Sequence, residues 1–198
     1  MSKPIVYSFV LGTMADLMVS VEQLYFHPGM RIADVTYCHG RFWRQIDTSK
    51  YDFLPSDLVP SRPNVAKLDC RSLPYADDSL DVVVFDPPFI DRAFYEKSFL
   101  TDTHDLSPPE ILQLYRDGMT EAKRVLRHGG LLLVKCMDGS NGQHRTTITL
   151  WLFATQVLGM IDEDRFCFVY HHLRFAVPIP QSRHSVKRES YLWVFRKK

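Results

Sequence analysis

The chain has 198 residues, of which 45% are hydrophobic and 24% are charged. This length and composition predict one globular domain with a substantial core and exclude a disordered chain. The sequence has no apolar run long enough to cross a bilayer, and its first residues lack the apolar stretch of a secretion signal. The four cysteines form no Cys-x-x-Cys pair, which argues against a zinc site or a disulfide framework. We therefore expect a cytoplasmic protein without a membrane segment or a metal.

Charge is unevenly distributed along the chain, although the net charge is only +1. From Arg165 to Lys198 there are eight lysines and arginines and a single acid, Glu189. A basic end on an acidic body indicates a polyanionic partner at that end. A solvated surface with no partner explains the same pattern equally well.

Helical and extended segments alternate in the predicted order of elements. The first helix is predicted over 9–26, and Pro28-Gly29 ends it. Ser107 and Pro108 begin a second helix that runs to about residue 127 and ends at Gly129-Gly130. A third helix is predicted over 144–158. Seven strands are predicted, at 30–35, 51–54, 64–68, 80–85, 131–136, 165–175 and 190–195.

This alternation predicts an α/β fold, in which a mostly parallel sheet carries helices on both faces. Too few residues separate the last two strands for a helical crossover, so we expect them to pair as an antiparallel hairpin. In an open α/β sheet, ligands bind beyond the carboxyl ends of the strands. Candidate site residues are therefore those that follow the predicted strands.

Asp86-Pro87-Pro88-Phe89 is the most informative of these positions. It directly follows the apolar run 80–85, whose β-branched and aromatic residues indicate a buried strand that the prolines stop. A carboxylate, a proline carbonyl and an aromatic ring in succession form a socket for a planar group that carries an NH2. The alternative is a strand that simply ends in a Pro-Pro turn.

These four residues resemble the (Asp/Asn/Ser)-Pro-Pro-(Tyr/Phe/Trp) motif of S-adenosylmethionine-dependent methyltransferases that act on the amino groups of bases. The chain is most similar to the adenine-N6 and cytosine-N4 DNA methylases, from about residue 30 to residue 195. The resemblance implies a Rossmann-like sheet of seven strands with a C-terminal antiparallel hairpin, S-adenosylmethionine as cofactor, and Asp86, Pro87, Pro88 and Phe89 as catalytic residues. Aspartate in the first motif position favours adenine N6 as the target.

The segment from Asp34 to Gly40 resembles the first motif of that family, Asp-x-x-x-Gly-x-Gly, and also follows a predicted strand. The resemblance implies that Asp34, Tyr37 and Gly40 bind the cofactor. Cys38 stands where the first glycine of the motif is expected. A cysteine fits that position only if its φ is not positive, because positive φ favours glycine.

Two further acids follow successive strands. Asp57 lies 23 residues after Asp34, near the spacing at which nucleotide-binding folds place an acid on the ribose hydroxyls. Asp47 and Asp52 compete for this role, but Asp57 is preferred because it falls beyond the carboxyl end of the predicted strand. Asp69 and Cys70 resemble the third motif of the family, which implies contact with the cofactor adenine. Each acid alone is more often a surface residue, but four acids at the ends of successive strands favour a common site.

The nucleic acid is expected to contact the loop between the last two strands. Arg183, His184, Lys187 and Arg188 lie in this loop, and Arg174 shortly precedes it, so we predict that they contact phosphates. A solvated hairpin tip is the alternative. The long segment 90–106 is a candidate closing loop over the site.

The chain is predicted to be a single methyltransferase domain over 1–198. It has no insertion large enough for a target-recognition domain, so short loops or a partner protein would supply any selectivity.

Three other functions remain open on these residues. An RNA amine methyltransferase shares the Pro-Pro motif, and a glutamine-amide methyltransferase usually has Asn at position 86. A non-catalytic nucleic-acid-binding module is the third, because Cys38 replaces a glycine. The adjacent His171 and His172 point to opposite faces of a predicted strand and do not indicate a metal site.

Overall fold

The computed structural model describes residues 5–88, 106–138, 146–170 and 189–198. Within them the strands are β1 (Phe9–Gly12), β2 (Arg31–Asp34), β3 (Asp52–Asp57), β4 (Ala66–Lys67), β5 (Leu80–Phe85), β6 (Leu126–Cys136), β7 (Ile161–Tyr170) and β8 (Glu189–Arg196). The α-helices are α1 (Met14–Tyr25), α2 (Pro108–Val125) and α3 (Thr146–Leu152), and α3 continues as a π-helical turn over Phe153–Val157. Short 3-10 helices span Arg41–Trp43 and Thr48–Lys50.

The strands form one sheet in the order β1-β7-β8-β6-β5-β2-β3-β4. Strand β8 runs antiparallel to β6 and β7, and every other neighbouring pair is parallel. The predicted antiparallel pairing of the last two strands is therefore present, while the loop that joins them lies outside the described residues. The described sheet has eight strands where seven were predicted, because β1 adds an edge strand beside β7.

The prediction of a helix over 9–26 was wrong for residues 9–13. Phe9–Gly12 is a strand whose exposure alternates from residue to residue, whereas the helix begins at Met14. A short apolar run does not distinguish strand from helix by its composition. The available signal was the capping box, in which Thr13 and Asp16 bond to each other's backbone N–H groups at the true start of the helix.

A second predicted boundary was also wrong: Gly129 and Gly130 do not end α2. The helix ends at Val125, and both glycines lie inside β6. There, Gly129 donates its N–H to the Lys197 carbonyl, and the Lys197 N–H is bonded to the Gly130 carbonyl. Gly129 has a φ of 75°, so the glycine serves a local turn of the strand backbone.

Side-chain alternation along the central strands divides the core between the two faces of the sheet. On β5, Val83 and Phe85 face a cluster that includes residues of α2 and α3. Val82 and Val84 face the opposite cluster, which includes residues of α1 and the ring of Trp43. Both faces are thus covered, as the largely apolar run 80–85 predicts for a central parallel strand. Because β2, β3, β4 and β5 run parallel to one another, their carboxyl ends lie at the same edge of the sheet.

Several predicted features lie outside the described residues. They include Phe89, most of the candidate closing loop, residues His171 and His172, and the five predicted phosphate-contacting residues Arg174, Arg183, His184, Lys187 and Arg188. Within the described residues, no helix combines the length and apolar character that a membrane crossing requires.

Candidate active site

Asp86, Pro87 and Pro88 lie at the carboxyl end of β5, next to the loop that follows β2. The Asp86 N–H donates to the hydroxyl oxygen of Thr36 at 2.7 Å. Thr36 belongs to the segment that was predicted to bind the cofactor. The strand ends here because the two prolines have no N–H with which to continue the ladder. The fold therefore brings the two predicted motifs into direct contact.

The Asp86 carboxylate is paired with Lys135, a residue that the sequence did not identify as part of the site. Lys135 Nζ lies 3.3 Å from Asp86 Oδ1. Burial raises the pKa of Asp86 above its usual value, and the Lys135 ammonium opposes that rise. The site therefore pairs a partly buried acid just after β5 with a buried lysine on β6.

Asp34 is buried at the end of β2, with only 2% of its surface exposed. Its Oδ2 accepts a hydrogen bond from Trp43 Nε1 at 2.6 Å, and its Oδ1 accepts the Thr36 N–H at 3.1 Å. Burial raises the pKa of Asp34 to about 7 despite these two donors. The aromatic turn at 41–43 thus holds this acid, a contact that the sequence motif alone did not predict.

The loop after β2 has a left-handed backbone at two positions. Cys38 has a φ of 49° and Gly40 a φ of 63°. The expectation that a cysteine would fit only without a positive φ was therefore wrong. A Cβ atom at Gly40 would overlap the ring of Tyr37, so only glycine lets the loop fold back on that ring. The motif keeps its glycine-like shape although one glycine is replaced.

Asp57 holds this loop in place. The sequence predicted it beyond the strand, but it is the last residue of β3. Its carboxylate accepts the N–H of Cys38 at 2.8 Å and the N–H of Val59 at 3.0 Å. The N–H of Tyr37 donates to the carbonyl of Ser56, one residue earlier, at 3.0 Å. These bonds fix the left-handed conformation of the loop to the end of β3.

Asp69 and Cys70 follow β4 with different environments. Both carboxylate oxygens of Asp69 accept from the Arg71 guanidinium, which lowers the pKa of this acid. Cys70 is buried in the core on the α2 side, and burial raises the pKa of its thiol to about 12. A neutral, buried thiol contributes packing here and not reactivity.

Taken together, the fold assembles Asp34, Asp57 and Asp86 around one glycine loop. The three carboxylates are close enough to interact, because the charges of Asp57 and Asp86 both contribute to the raised pKa of Asp34. Such an edge favours a cationic ligand that also offers hydroxyl or amine donors. Among the residues that the structure describes, no group of three His, Cys, Asp or Glu side chains could hold a metal ion.

Comparison with solved structures identifies the fold. An S-adenosylmethionine-dependent methyltransferase from Methanosarcina mazei superposes with a TM-score of 0.55 at 13% identity, over 89% of this chain and 96% of that one. TrmN from Thermus thermophilus superposes with a TM-score of 0.56 at 15% identity, over 93% of this chain and 48% of that one. The chain has the fold of these methyltransferases.

The same fold also supports other chemistry. The cyclase SpnF superposes with a TM-score of 0.53 at 16% identity, over 91% of this chain and 80% of that one. No protein-family model matches the sequence. No curated protein matches it either. Activity must therefore be argued from the residues of the site and not from the fold.

Proposed function

We propose that this protein is an S-adenosylmethionine-dependent methyltransferase that methylates the exocyclic amino group of a base in DNA, most specifically N6 of adenine. One observation carries the proposal. The Asp-Pro-Pro segment ends a central strand and is bonded directly to the glycine loop after β2, through the Asp86 N–H and the Thr36 hydroxyl. An amine bound by the first element would therefore lie beside a ligand bound by the second.

The residues that would hold S-adenosylmethionine follow β2, β3 and β4 or end them: Asp34, Tyr37, Gly40, Asp57, Asp69 and Cys70. The acidic edge suits its positive charge, and carboxylates accept hydrogen bonds from ribose hydroxyls and from the adenine amine. Gly40 allows close approach of the backbone. When bound, this cofactor supplies a methyl group activated by the adjacent sulfonium.

Asp86 would act on the target amine. The lone pair of an exocyclic base amine is delocalised into the ring, which makes the nitrogen a weak nucleophile. A carboxylate that accepts one N–H, together with the neighbouring proline carbonyl, favours a tetrahedral nitrogen with a localised lone pair. Alignment and preorganised acceptors of this kind supply the larger part of the rate enhancement in such sites.

A base in a duplex must leave the stack to reach Asp86, and Phe89 is the ring proposed to stack on it. The basic residues between the last two strands are proposed to contact phosphates, which makes binding dependent on salt concentration. The described residues contain no module for reading base edges, so a partner protein or short loops would supply sequence selectivity.

The proposal is tested by methyl transfer from labelled S-adenosylmethionine to unmethylated double-stranded DNA, single-stranded DNA and total RNA. Products are digested and separated by nucleoside. We expect label in N6-methyladenine from DNA, and a loss of at least about 100-fold in kcat for Asp86→Ala. Asp52→Ala is the matched control, because Asp52 is an exposed acid at the amino end of β3 that pairs with Arg31.

The outcomes separate the alternatives. Label in an RNA nucleoside alone would replace DNA by RNA as the substrate. Cofactor binding without label in any nucleoside would refute a nucleic-acid substrate for the isolated protein. Absence of cofactor binding would refute the enzyme itself and favour a non-catalytic module.

A further inference from the structure

Lys135 occupies an unusual position for a lysine. It lies within β6, between Val134 and Cys136, and only 4% of its surface is exposed. Because Phe85 pairs with Val134, the residues that follow them, Asp86 and Lys135, also lie across from each other. The resulting ion pair spans the carboxyl ends of β5 and β6, with 3.3 Å between its nitrogen and oxygen.

Alternation along β6 decides which face of the sheet this lysine occupies. Val134 and Cys136 belong to the core cluster on the α2 side, whereas Leu133 belongs to the opposite cluster. Lys135 therefore points to the face that also carries Trp43 and the glycine loop. This is the face on which Asp34 is bonded to Trp43.

The position of Lys135 is fixed by its backbone as well as by its charge. Tyr115 of α2 donates its hydroxyl to the Lys135 carbonyl at 2.8 Å. On the other side, Lys135 pairs with Leu192 of the antiparallel strand β8. The ammonium group thus extends from a backbone that is held by two neighbouring elements.

An ion pair that is largely withdrawn from water is an inefficient way to stabilise a protein. Removing both charges from water costs about as much as their attraction returns, and apolar residues of similar volume often stabilise the same position better. Lysine is also rarely buried to this extent unless it is paired. The pair therefore calls for an explanation other than fold stability, and its location beside the Pro-Pro motif supplies one.

We propose that Lys135 is a positioning residue that holds Asp86 as an ionised, oriented carboxylate for the target amine. This inference rests on the proposed function. The contact engages Oδ1 and leaves Oδ2 as the acceptor for an amine N–H. A protonated Asp86 would present a donor in place of one acceptor and would hold the amine less well.

The other titratable groups near Asp86 do not perform this task. Three other groups share an electrostatic interaction with Asp86: Asp34 of β2, Cys38 of the loop after β2 and Cys136 of β6. They are an acid and two thiols, and none of them supplies a positive charge to stabilise the Asp86 carboxylate. The helix packed behind Lys135 contributes the neutral hydroxyl of Tyr115. Lys135 is the cation that these contacts assign to Asp86 among the described residues.

The first test compares Lys135→Met and Lys135→Arg by the pH dependence of methyl transfer. Without the ammonium, the pKa of Asp86 rises further, so the acid limb of kcat moves to higher pH in Lys135→Met. We expect kcat at neutral pH to fall by about 100-fold with little change in KM for the nucleic acid. Lys135→Arg keeps the cation and should retain an acid limb close to that of the wild type.

Lys197→Met is the matched control, because Lys197 also pairs with an aspartate, Asp78, at 2.7 Å. That pair lies near the amino end of β5, whereas Asp86 follows its carboxyl end, so its loss should leave the acid limb unchanged. An unshifted acid limb in Lys135→Met, or an equal shift in Lys197→Met, would overturn the inference. If Lys135→Met does not fold, Lys135→Gln replaces it, since glutamine can bond to Asp86 without a charge.

A second readout does not depend on activity. The side-chain carboxyl of Asp86 is titrated by NMR with labelled aspartate, and its signal is assigned with Asp86→Asn. The titration midpoint of Asp86 should rise in Lys135→Met and should equal that of the wild type in Lys197→Met. If the wild type methylates no nucleic acid, the proposed function fails, and this titration alone decides whether Lys135 controls Asp86. An unchanged midpoint would refute that control.

Discussion

Replacing Cys38 with glycine is expected to stabilise the protein. Cys38 has a φ of 49°, where a Cβ atom crowds the backbone. That crowding costs about 1–2 kcal/mol for a residue other than glycine. Glycine also adds freedom to the unfolded chain, which removes about 0.4–1 kcal/mol of the gain. The net stabilisation is therefore about 1 kcal/mol, or roughly 2–4 °C in Tm for a chain of this size.

The reference for this prediction is Cys38→Ala, which removes the thiol but keeps the Cβ atom. Both variants retain the backbone bonds of the loop, including the Cys38 N–H to Asp57 and the Cys38 carbonyl to the Ser61 hydroxyl at 2.7 Å. The difference between them therefore isolates the backbone conformation. Urea unfolding of the two variants, followed by circular dichroism, measures it.

A Cys38→Gly variant that is no more stable than Cys38→Ala would contradict this expectation. That result would mean that the loop in solution does not hold a left-handed residue at position 38. Cys38→Val gives an independent check, because a β-branched residue tolerates positive φ least and should be the least stable of the three.

Two further predictions concern the same loop and its buried acid. The folded-state pKa of Asp34 is about 7, against 3.8 for an ordinary aspartate, so the native state binds more protons than the unfolded state in that interval. The stability that Asp34 contributes should therefore fall as pH rises from about 4 to 7, by up to about 1.4 kcal/mol per pH unit. The difference in unfolding free energy between the wild type and Asp34→Asn should show that slope. A difference that does not change with pH would contradict the burial of this acid. Gly40→Ala should destabilise the protein by about 1–3 kcal/mol more than Gly129→Ala. Both glycines have positive φ, but only at Gly40 would the new Cβ atom meet other atoms, so equal losses of stability in urea unfolding would contradict the close packing of the loop.

The central strand was predictable to the residue, and so was the placement of Asp86. The run 80–85 is apolar except for Asp81, contains three consecutive valines and ends one residue before two prolines, and strand β5 spans Leu80–Phe85. In such a case local sequence and tertiary position agree, since a strand that is buried on both faces needs apolar residues at nearly every position. The candidate site could be located for the same reason, because it follows that strand.

Residues whose function depends on neighbours distant in sequence were not predictable. Lys135 looks like one polar residue in an apolar strand until β6 is placed beside β5. Asp57 was predicted as a site acid, but its bond to the Cys38 N–H depends on the conformation of a loop 19 residues earlier. Trp43 belongs to none of the predicted motifs, and its bond to Asp34 emerges from the packing of the 3-10 helix Arg41–Trp43.

The edge strand β1 has a consequence for how the chain folds. Phe9 pairs with Cys167, so this strand finds its partner only after the chain has been synthesised as far as β7. Pairings between such distant segments close large loops and slow folding. During translation, the apolar residues of β1 therefore remain without their ladder while α1 and the β2–β5 half of the sheet can already assemble. Exposed Phe9 and Leu11 are then an aggregation hazard for the nascent chain, and refolding in vitro should be slow compared with that of a helical protein of similar length.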